Sequence, residues 1–153
     1  MTSYYHTWAV SREQIGDIVK QLLPALSRDR NSGKFNCIVV TGISGAKIGP
    51  VLAYLLRVNC IFVRRSVKES EHSESLVEGT FPESPKVLIV DDFISSGKTL
   101  QRIKDAVLEH NNDVVQITGV AVYSDNDYCD RQSRSVREIL GDVSFYKTKK
   151  ITL

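Results

Sequence analysis

Short apolar runs recur along the chain, and they constrain the fold more than any other feature of the sequence. They cover residues 37–40 (CIVV), 60–63 (CIFV), 86–90 (KVLIV), 114–123 and 143–148 (VSFYKT). Continuous runs of this length are typical of strands that are buried on both faces of a sheet. The stretches between them carry apolar residues at helical spacing. Strands that alternate with helices predict an α/β fold with a doubly wound, mostly parallel five-stranded sheet and helices on both faces.

Helices are predicted at residues 11–28, about 50–57, 99–110 and 133–140. The first has the strongest signal, because Ser11 and Gln14 have the spacing of a capping box. Pro24 is expected to kink or end this helix, since proline removes a backbone donor. Pro50 is expected in the first turn of the second helix, where that donor is not needed.

The length of the chain predicts one domain, residues 1–153, with a core of its own. The chain has 20 basic and 18 acidic residues, and a net charge of +2 gives no general attraction to nucleic acid or to a membrane. The first ten residues lack the basic flank and apolar core of a signal peptide. Cys37, Cys60 and Cys129 have no metal-ligand spacing. Cys37 and Cys60 each begin an apolar run and are interpreted as buried, reduced thiols of a cytoplasmic protein.

Glycine-containing loops follow two of the predicted strands, TGISGAKIG after residue 40 and DDFISSGKT after residue 90. In a parallel sheet both loops lie at the carboxyl ends of the strands, where ligands bind if the strands are neighbours. The second loop ends in Gly-Lys-Thr, but Asp92 stands where a P-loop requires its first glycine. A helix start at residues 95–99 still suits a phosphate group. The adjacent Asp91 and Asp92 suit sugar hydroxyls or a hydrated Mg²⁺, so the loop as a whole suits a sugar phosphate.

The stretch VLIVDDFISSGKT resembles the signature of the type I phosphoribosyltransferases, with Phe93 in place of the usual smaller aliphatic residue. The resemblance implies the fold of that family and binding of 5-phosphoribosyl-1-pyrophosphate (PRPP). It implies that Asp91 and Asp92 face the ribose hydroxyls, act in catalysis and hold Mg²⁺ mostly through water. It also implies that the 5-phosphate is bound by Ser95, Ser96, Gly97, Lys98 and Thr99.

Two more stretches resemble parts of the same family. TGISGAKIGPVLAYLL is similar to its pyrophosphate loop, which implies pyrophosphate contacts from Ser44, Gly45, Ala46 and Lys47. FVRRSVKESEHSESLVEG resembles the mobile catalytic loop of the orotate enzymes, which implies catalytic roles for Arg65, Lys68 and His72. His72 follows Lys68 at a longer spacing than in those enzymes, and residues 64–85 are expected to form a flexible loop that is poor in apolar residues.

The implied reaction is Mg²⁺-dependent transfer of the phosphoribosyl group from PRPP to a ring nitrogen of a nucleobase, with release of pyrophosphate. The base is orotate or another base; hypoxanthine and guanine are disfavoured because enzymes for these bases usually carry an aspartate at the position of Ser95. A small hood over the base is expected from residues 1–36 and the C-terminal segment, and the protein is expected to be a homodimer. Two alternatives stay open: a regulatory protein that binds PRPP without efficient turnover, and a doubly wound module that binds another phosphate ligand.

Overall fold

A computed structural model describes residues 11–66, 75–123 and 129–149. Its helices are α1 (Arg12–Asn31), α2 (Gly42–Leu56), α3 (Lys98–His110) and α4 (Cys129–Leu140). Its strands are β1 (Cys37–Thr41), β2 (Asn59–Val63), β3 (Val77–Glu78), β4 (Lys86–Asp91), β5 (Gln116–Val122) and β6 (Ser144–Lys147). Every predicted strand is present, with bounds that differ by no more than two residues at either end.

The strands form one sheet in the order β3-β2-β1-β4-β5-β6. All neighbouring pairs are parallel except β2 and β3. The doubly wound, mostly parallel sheet is therefore confirmed, but the expected number of five strands is wrong. The additional strand, β3, lies within the segment predicted as a loop, residues 64–85. Its pairing with β2 covers only two residues, of which Val77 alone is buried, so it leaves no periodic signal in the sequence.

Apolar side chains cover both faces of the sheet. On one face, helices α3 and α4 pack on the strands through residues such as Leu100, Ile103 and Val136. On the other face, α1 and α2 pack on the strands through residues such as Leu22, Leu26 and Leu52. Helices on both faces were predicted from the alternation of strands and helices, and the structure confirms them.

Helix α1 begins as its sequence predicts. The Gln14 N–H donates to Ser11 Oγ at 3.1 Å, and the Ser11 N–H donates to Gln14 Oε1 at 3.3 Å, so the capping box is complete. Pro24 was expected to kink or end the helix; it does not end it, because the helix continues to Asn31. Leu22 and Leu26, on either side of the proline, are buried in the core, and their packing holds the helix together despite the missing donor.

Residues 1–36 and the C-terminal segment were expected to supply a hood over the base. Where the structure describes them, they lie beside the sheet or at its edge. Helix α1 packs on α2 and on β6, and β6 is the last strand of the sheet. Residues 1–10 and 150–153, which belong to the same prediction, lie outside the described residues. Within the described ranges, no helix has the length and apolar character needed to cross a bilayer.

Candidate functional site

A cavity of about 290 Å³ opens at the carboxyl ends of β1 and β4. These two strands are neighbours, and the strand order reverses between them, because β2 lies beyond β1 and β5 lies beyond β4. Ligands of open parallel sheets bind at such a reversal. The cavity, called the cleft below, is lined by Thr41, Gly42, Ser44, Arg65, Asp91, Asp92, Phe93, Ile94, Ser95, Ser96, Gly97, Lys98, Thr99, Leu100 and Arg102.

The predicted phosphate loop forms one wall of the cleft and leads into α3. Gly97 is the N-cap of α3 in the left-handed conformation, with φ 78°, and as a glycine it offers the helix no side-chain acceptor. The Lys98 N–H donates to Ser96 Oγ at 3.5 Å, a long contact. The positive φ at Gly97 favours glycine, and a Cβ atom there would also displace the end of the Ile139 side chain of α4, whose Cδ1 would lie 2.2 Å away. Apart from the long contact to Ser96, the first N–H groups of α3 lie at the cleft without an acceptor from the N-cap residue, an arrangement that suits a phosphate group.

Helix α4 holds this loop in place. The Ile94 N–H donates to Oε1 of Gln132, whose side chain is buried, at 2.8 Å. Ser135 Oγ donates to the Ser95 carbonyl at 3.3 Å. Gln132 was not identified from the sequence as a residue that supports the site. Its position on the same helix face as Val136 is the only sequence feature that could have indicated a role.

The predicted pyrophosphate loop is wrong in its conformation, because α2 already begins at Gly42. Ser44 and Gly42 lie in its first turn and line the cleft. Gly45 is packed on β1 instead, since a Cβ atom there would lie 2.7 Å from Val40 Cβ. Ala46 and Lys47 are absent from the described lining of the cleft. The structure thus brings Ser44 to the site and places Gly45, Ala46 and Lys47 farther along the helix.

The N-terminus of α2 also receives no cap from a described side chain, although its N-cap residue is a threonine. The Thr41 hydroxyl donates to the Val63 carbonyl at 2.7 Å and accepts from Arg102 Nη2 at 3.0 Å. It is thus turned away from the helix end. The cleft therefore receives two helix N-termini, those of α2 and α3, and neither has a hydrogen bond from its N-cap side chain.

The acidic pair lies between these two helix ends. Asp91 is 6% exposed, and its Oδ1 accepts the Asp92 N–H at 2.8 Å. Asp92 Oδ1 accepts the Phe93 N–H at 2.8 Å, and Asp92 Oδ2 accepts the Ser44 hydroxyl at 3.1 Å. Burial, and next the negative charge of Asp92, raise the pKa of Asp91 to about 8.

Tyr123 fastens the acidic pair to α2. It follows β5, is buried, and donates its hydroxyl to the Ser44 carbonyl at 2.6 Å. Its backbone N–H donates to the Asp92 carbonyl at 3.2 Å. Burial, and next the charges of Asp92 and Asp91, raise the pKa of Tyr123, so the hydroxyl stays a neutral donor. The sequence gives no signal for this contact, because Tyr123 and Ser44 are 79 residues apart.

Among the predicted cations, Arg65 lies at the cleft, and its Nη2 is 3.6 Å from the position of a Cβ atom at Gly42. Arg64 points elsewhere and forms an ion pair with Glu78 of β3. Lys68 and His72 lie outside the described residues, as do residues 67–74 of the predicted flexible loop. Arg102, which the sequence analysis did not single out, also lines the cleft.

The donor set of the cleft fits a hydrated Mg²⁺. Asp91 and Asp92 offer hard oxygen atoms at the cleft wall, as this ion prefers. Over residues 11–66, 75–123 and 129–149 there is no group of three or more His, Cys, Asp and Glu side chains that would enclose a metal. A metal bound here would thus take most of its ligands from water and from a phosphorylated molecule.

Fold and site together define a doubly wound α/β protein with a polar cleft at the reversal of strand order. The family model of the phosphoribosyl transferase domain matches residues 11–145, so the chain belongs to the phosphoribosyl transferase domain family. The resemblance of VLIVDDFISSGKT to the type I family is thereby confirmed.

Individual relatives carry different functions. Orotate phosphoribosyltransferase of Rhizobium etli (strain CIAT 652) is 30% identical over 82 residues, which covers 54% of this chain and 35% of that protein. The probable purine biosynthesis transcriptional regulator PurR of Streptococcus pneumoniae serotype 4 is 24% identical, with 76% of this chain and 48% of that protein covered. The chain thus spans between a third and a half of the length of these curated relatives.

Solved structures share the fold at low sequence identity. Adenine phosphoribosyltransferase of Saccharomyces cerevisiae, solved in complex with an imino-altritol bisphosphate and adenine, superimposes with a TM-score of 0.67 at 20% identity. The superposition covers 89% of this chain and 79% of that chain. The expected type I phosphoribosyltransferase fold is therefore confirmed.

Proposed function

We propose that the protein is a Mg²⁺-dependent phosphoribosyltransferase that transfers the phosphoribosyl group of PRPP to a ring nitrogen of a nucleobase and releases pyrophosphate. One observation carries the proposal: two helix N-termini, neither with a hydrogen bond from its N-cap side chain, meet at one cleft, with Asp91 and Asp92 between them. PRPP has phosphate groups at both ends of a ribose, so its charge distribution matches that arrangement.

The 5-phosphate is assigned to the N-terminus of α3 and the loop before it, with Ser95, Ser96, Gly97, Lys98 and Thr99 as its binding residues. The pyrophosphate is assigned to the N-terminus of α2, where Ser44 and Arg65 lie at the cleft. Pyrophosphate contacts from Gly45, Ala46 and Lys47 stay a prediction, as do the catalytic roles of Lys68 and His72.

The acidic pair is assigned to the ribose, where Asp92 accepts hydrogen bonds from sugar hydroxyls and also acts on the positive charge that develops at the anomeric carbon. Asp91 lies deeper and orients Asp92 through the hydrogen bond from the Asp92 N–H. Bond breaking to pyrophosphate increases the negative charge near α2, and Arg65 stabilises that charge. Mg²⁺, when bound, would be held by Asp91 and Asp92 mostly through water and would supply further neutralisation of the negative charge on the leaving group.

The acceptor base is proposed to be orotate or another base that is not a 6-oxopurine. The relative from Rhizobium etli supports orotate over the part of the chain that it matches. A second candidate function is PRPP-dependent regulation without efficient turnover. It is favoured by the transcriptional regulator from Streptococcus pneumoniae, whose match covers more of this chain than that of the orotate enzyme.

The test is pyrophosphate release from PRPP and Mg²⁺ with a panel of orotate, adenine, uracil, hypoxanthine and guanine. The proposed enzyme releases pyrophosphate with at least one base, and Asp92→Asn lowers the rate by orders of magnitude. The exposed Glu138→Gln serves as a control for charge removal. PRPP binding in a titration with no release for any base would favour the regulator, and failure to bind PRPP would overturn both candidates.

We also propose that the protein is a cytoplasmic homodimer. Ile43 and Tyr54 lie on one side of α2 and are 67% and 83% exposed, which leaves an apolar surface suited to self-association. Sedimentation velocity tests the dimer, and Tyr54→Glu is expected to shift the protein toward the monomer. The free thiols of Cys37 and Cys60 are compatible with a reducing compartment.

A further inference from the structure

Arg102 reaches from one wall of the cleft to the other. It is the fifth residue of α3, and its half-buried side chain crosses to the end of β1, where Nη2 donates to Thr41 Oγ1 at 3.0 Å. The guanidinium therefore lies beside the first turn of α2, although Arg102 belongs to the other helix. Since both ends of this contact are in regular elements, the position of the charge is fixed by the scaffold.

The surroundings of Arg102 differ from those of Arg64, another half-buried arginine, which forms an ion pair with Glu78. In the described part of the chain no carboxylate oxygen lies within 4.0 Å of the Arg102 guanidinium, and Thr41 is its hydrogen-bond acceptor. The charge of Arg102 also acts on Asp91 without a direct ion pair, and it is the smallest of the effects on the pKa of that carboxyl. A half-buried guanidinium that lines a cleft without an ion pair is suited to an anion supplied by a ligand.

The contact with Thr41 has a second effect. Because the Thr41 hydroxyl donates to the Val63 carbonyl and accepts from Arg102, it does not cap α2. The same hydrogen bond therefore keeps the first N–H groups of α2 available and sets a positive charge next to them. Both consequences favour an anion at the same place.

We propose that Arg102 is a binding residue for the anion at the N-terminus of α2. This inference rests on the proposed function, under which that anion is pyrophosphate. Arg102 places a positive charge next to the leaving group, and this charge is present before any loop closes and before any metal binds. It acts at the pyrophosphate end of the cleft and not on the 5-phosphate at the 95–99 loop.

The experiment compares two probes, inorganic pyrophosphate and ribose 5-phosphate, by calorimetric titration in EDTA. Arg102→Gln is expected to raise the Kd for pyrophosphate about 10- to 100-fold, as expected for loss of a charge-assisted hydrogen bond. The Kd for ribose 5-phosphate is expected to change less than about threefold, a residual long-range electrostatic effect. Arg102→Lys, which keeps the charge but not the planar fork, is expected to fall between wild type and Arg102→Gln for pyrophosphate.

Arg137→Gln, at an exposed position near the end of α4, controls for loss of net charge and is expected to leave both Kd values unchanged. Melting temperatures are measured for every variant, and if Arg102→Gln does not fold, Arg102→Lys carries the comparison. If Arg102→Gln weakened the binding of both ligands equally, or did not weaken pyrophosphate binding, the inference would be overturned and the proposed function would stand. Wild-type protein that binds neither probe, and does not bind PRPP, would overturn the proposed function as well.

Discussion

Asp92 is the residue at which most contacts of the cleft meet. Its side chain accepts from the Phe93 N–H and from the Ser44 hydroxyl, and its carbonyl accepts from the Tyr123 N–H. Tyr123 in turn holds Ser44 through the tyrosine hydroxyl. Thus a carboxylate at the end of β4, a helix start after β1 and a side chain after β5 are held at fixed relative positions, as a site with exact geometry requires.

The first prediction concerns Tyr123→Phe. Loss of the hydroxyl should lower the free energy of unfolding by about 1 kcal/mol, which corresponds to a fall in Tm of roughly 2–4 °C. Because Ser44 is then less firmly held, kcat/KM for pyrophosphate release should fall about fivefold or more, the equivalent of a similar free energy. Thermal unfolding and steady-state kinetics measure the two effects.

Tyr54→Phe is the matched control for Tyr123→Phe, because the Tyr54 side chain is 83% exposed and its hydroxyl is expected to contribute little. If Tyr123→Phe and Tyr54→Phe behaved alike, the hydroxyl of Tyr123 would not hold the site together.

At the residue scale, the sequence predicted those parts of the site that lie in one continuous stretch. Asp91, Asp92 and residues 95–99 all line the cleft, and the motif that contains them was sufficient to find them. Arg102, Tyr123 and Gln132 were missed, because each acts through a partner far away in the chain. Arg102 and Thr41 are 61 residues apart, and Gln132 and Ile94 are 38 apart, so no local pattern connects them.

At the scale of the elements, α2 shows where a local pattern misled the prediction. Its glycines and Pro50 suggested a loop as far as residue 49, yet the helix begins at Gly42 and contains the proline. Gly45 and Gly49 lie on the side of the helix that packs on Val40 of β1. The glycines thus serve a close approach of helix and strand, and that approach is a tertiary contact that helix propensity does not include.

The second prediction compares Gly45→Ala with Gly16→Ala. A Cβ atom at Gly45 would lie 2.7 Å from Val40 Cβ and 3.0 Å from the Val90 carbonyl, so overpacking should lower the free energy of unfolding by about 1–3 kcal/mol. Gly16, in α1, has no described atom within 4 Å of the same position. Gly16→Ala should therefore stabilise the protein by about 0.5–1 kcal/mol through helix propensity alone.

Urea denaturation measures the difference between these two variants. A stabilising effect of Gly45→Ala similar to that of Gly16→Ala would mean that α2 does not pack as closely on β1 as the structure indicates.

On the scale of the whole molecule, the first helix is hydrogen-bonded to the last strand and to the residues that follow it. Asp29, near the end of α1, accepts from the Tyr146 hydroxyl of β6 at 2.5 Å, and the Lys149 N–H donates to Gln21 Oε1 of α1 at 2.7 Å. The fold class could be predicted from the alternation of elements, whereas the neighbouring positions of β1 and β4 were only assumed. The hydrogen bonds of α1 with β6 and Lys149 could not be predicted, because they join residues more than 100 positions apart in the chain.

The third prediction is that Asp29 makes the free energy of unfolding depend on pH below about pH 4. Hydrogen bonds from Tyr146 and next from Arg28 lower the pKa of Asp29 from 3.8 to about 2, against the opposing effect of burial. The unfolded chain therefore binds this proton at a higher pH than the folded protein does. The contribution of the carboxylate is complete above about pH 4 and is lost as the pH falls through about 2.

Asp29→Asn should accordingly lower the free energy of unfolding by about 2 kcal/mol at pH 7, since a buried acceptor of charge-assisted hydrogen bonds is lost. The difference between wild type and Asp29→Asn should be constant from pH 5 to pH 7 and should close between about pH 4 and pH 2. Urea denaturation at a series of pH values measures it, with the exposed Asp142→Asn as a control that changes stability little at pH 7. A difference that persists at pH 2 would mean that the asparagine side chain of the variant packs poorly, and that the charge of Asp29 does not fasten α1 to β6.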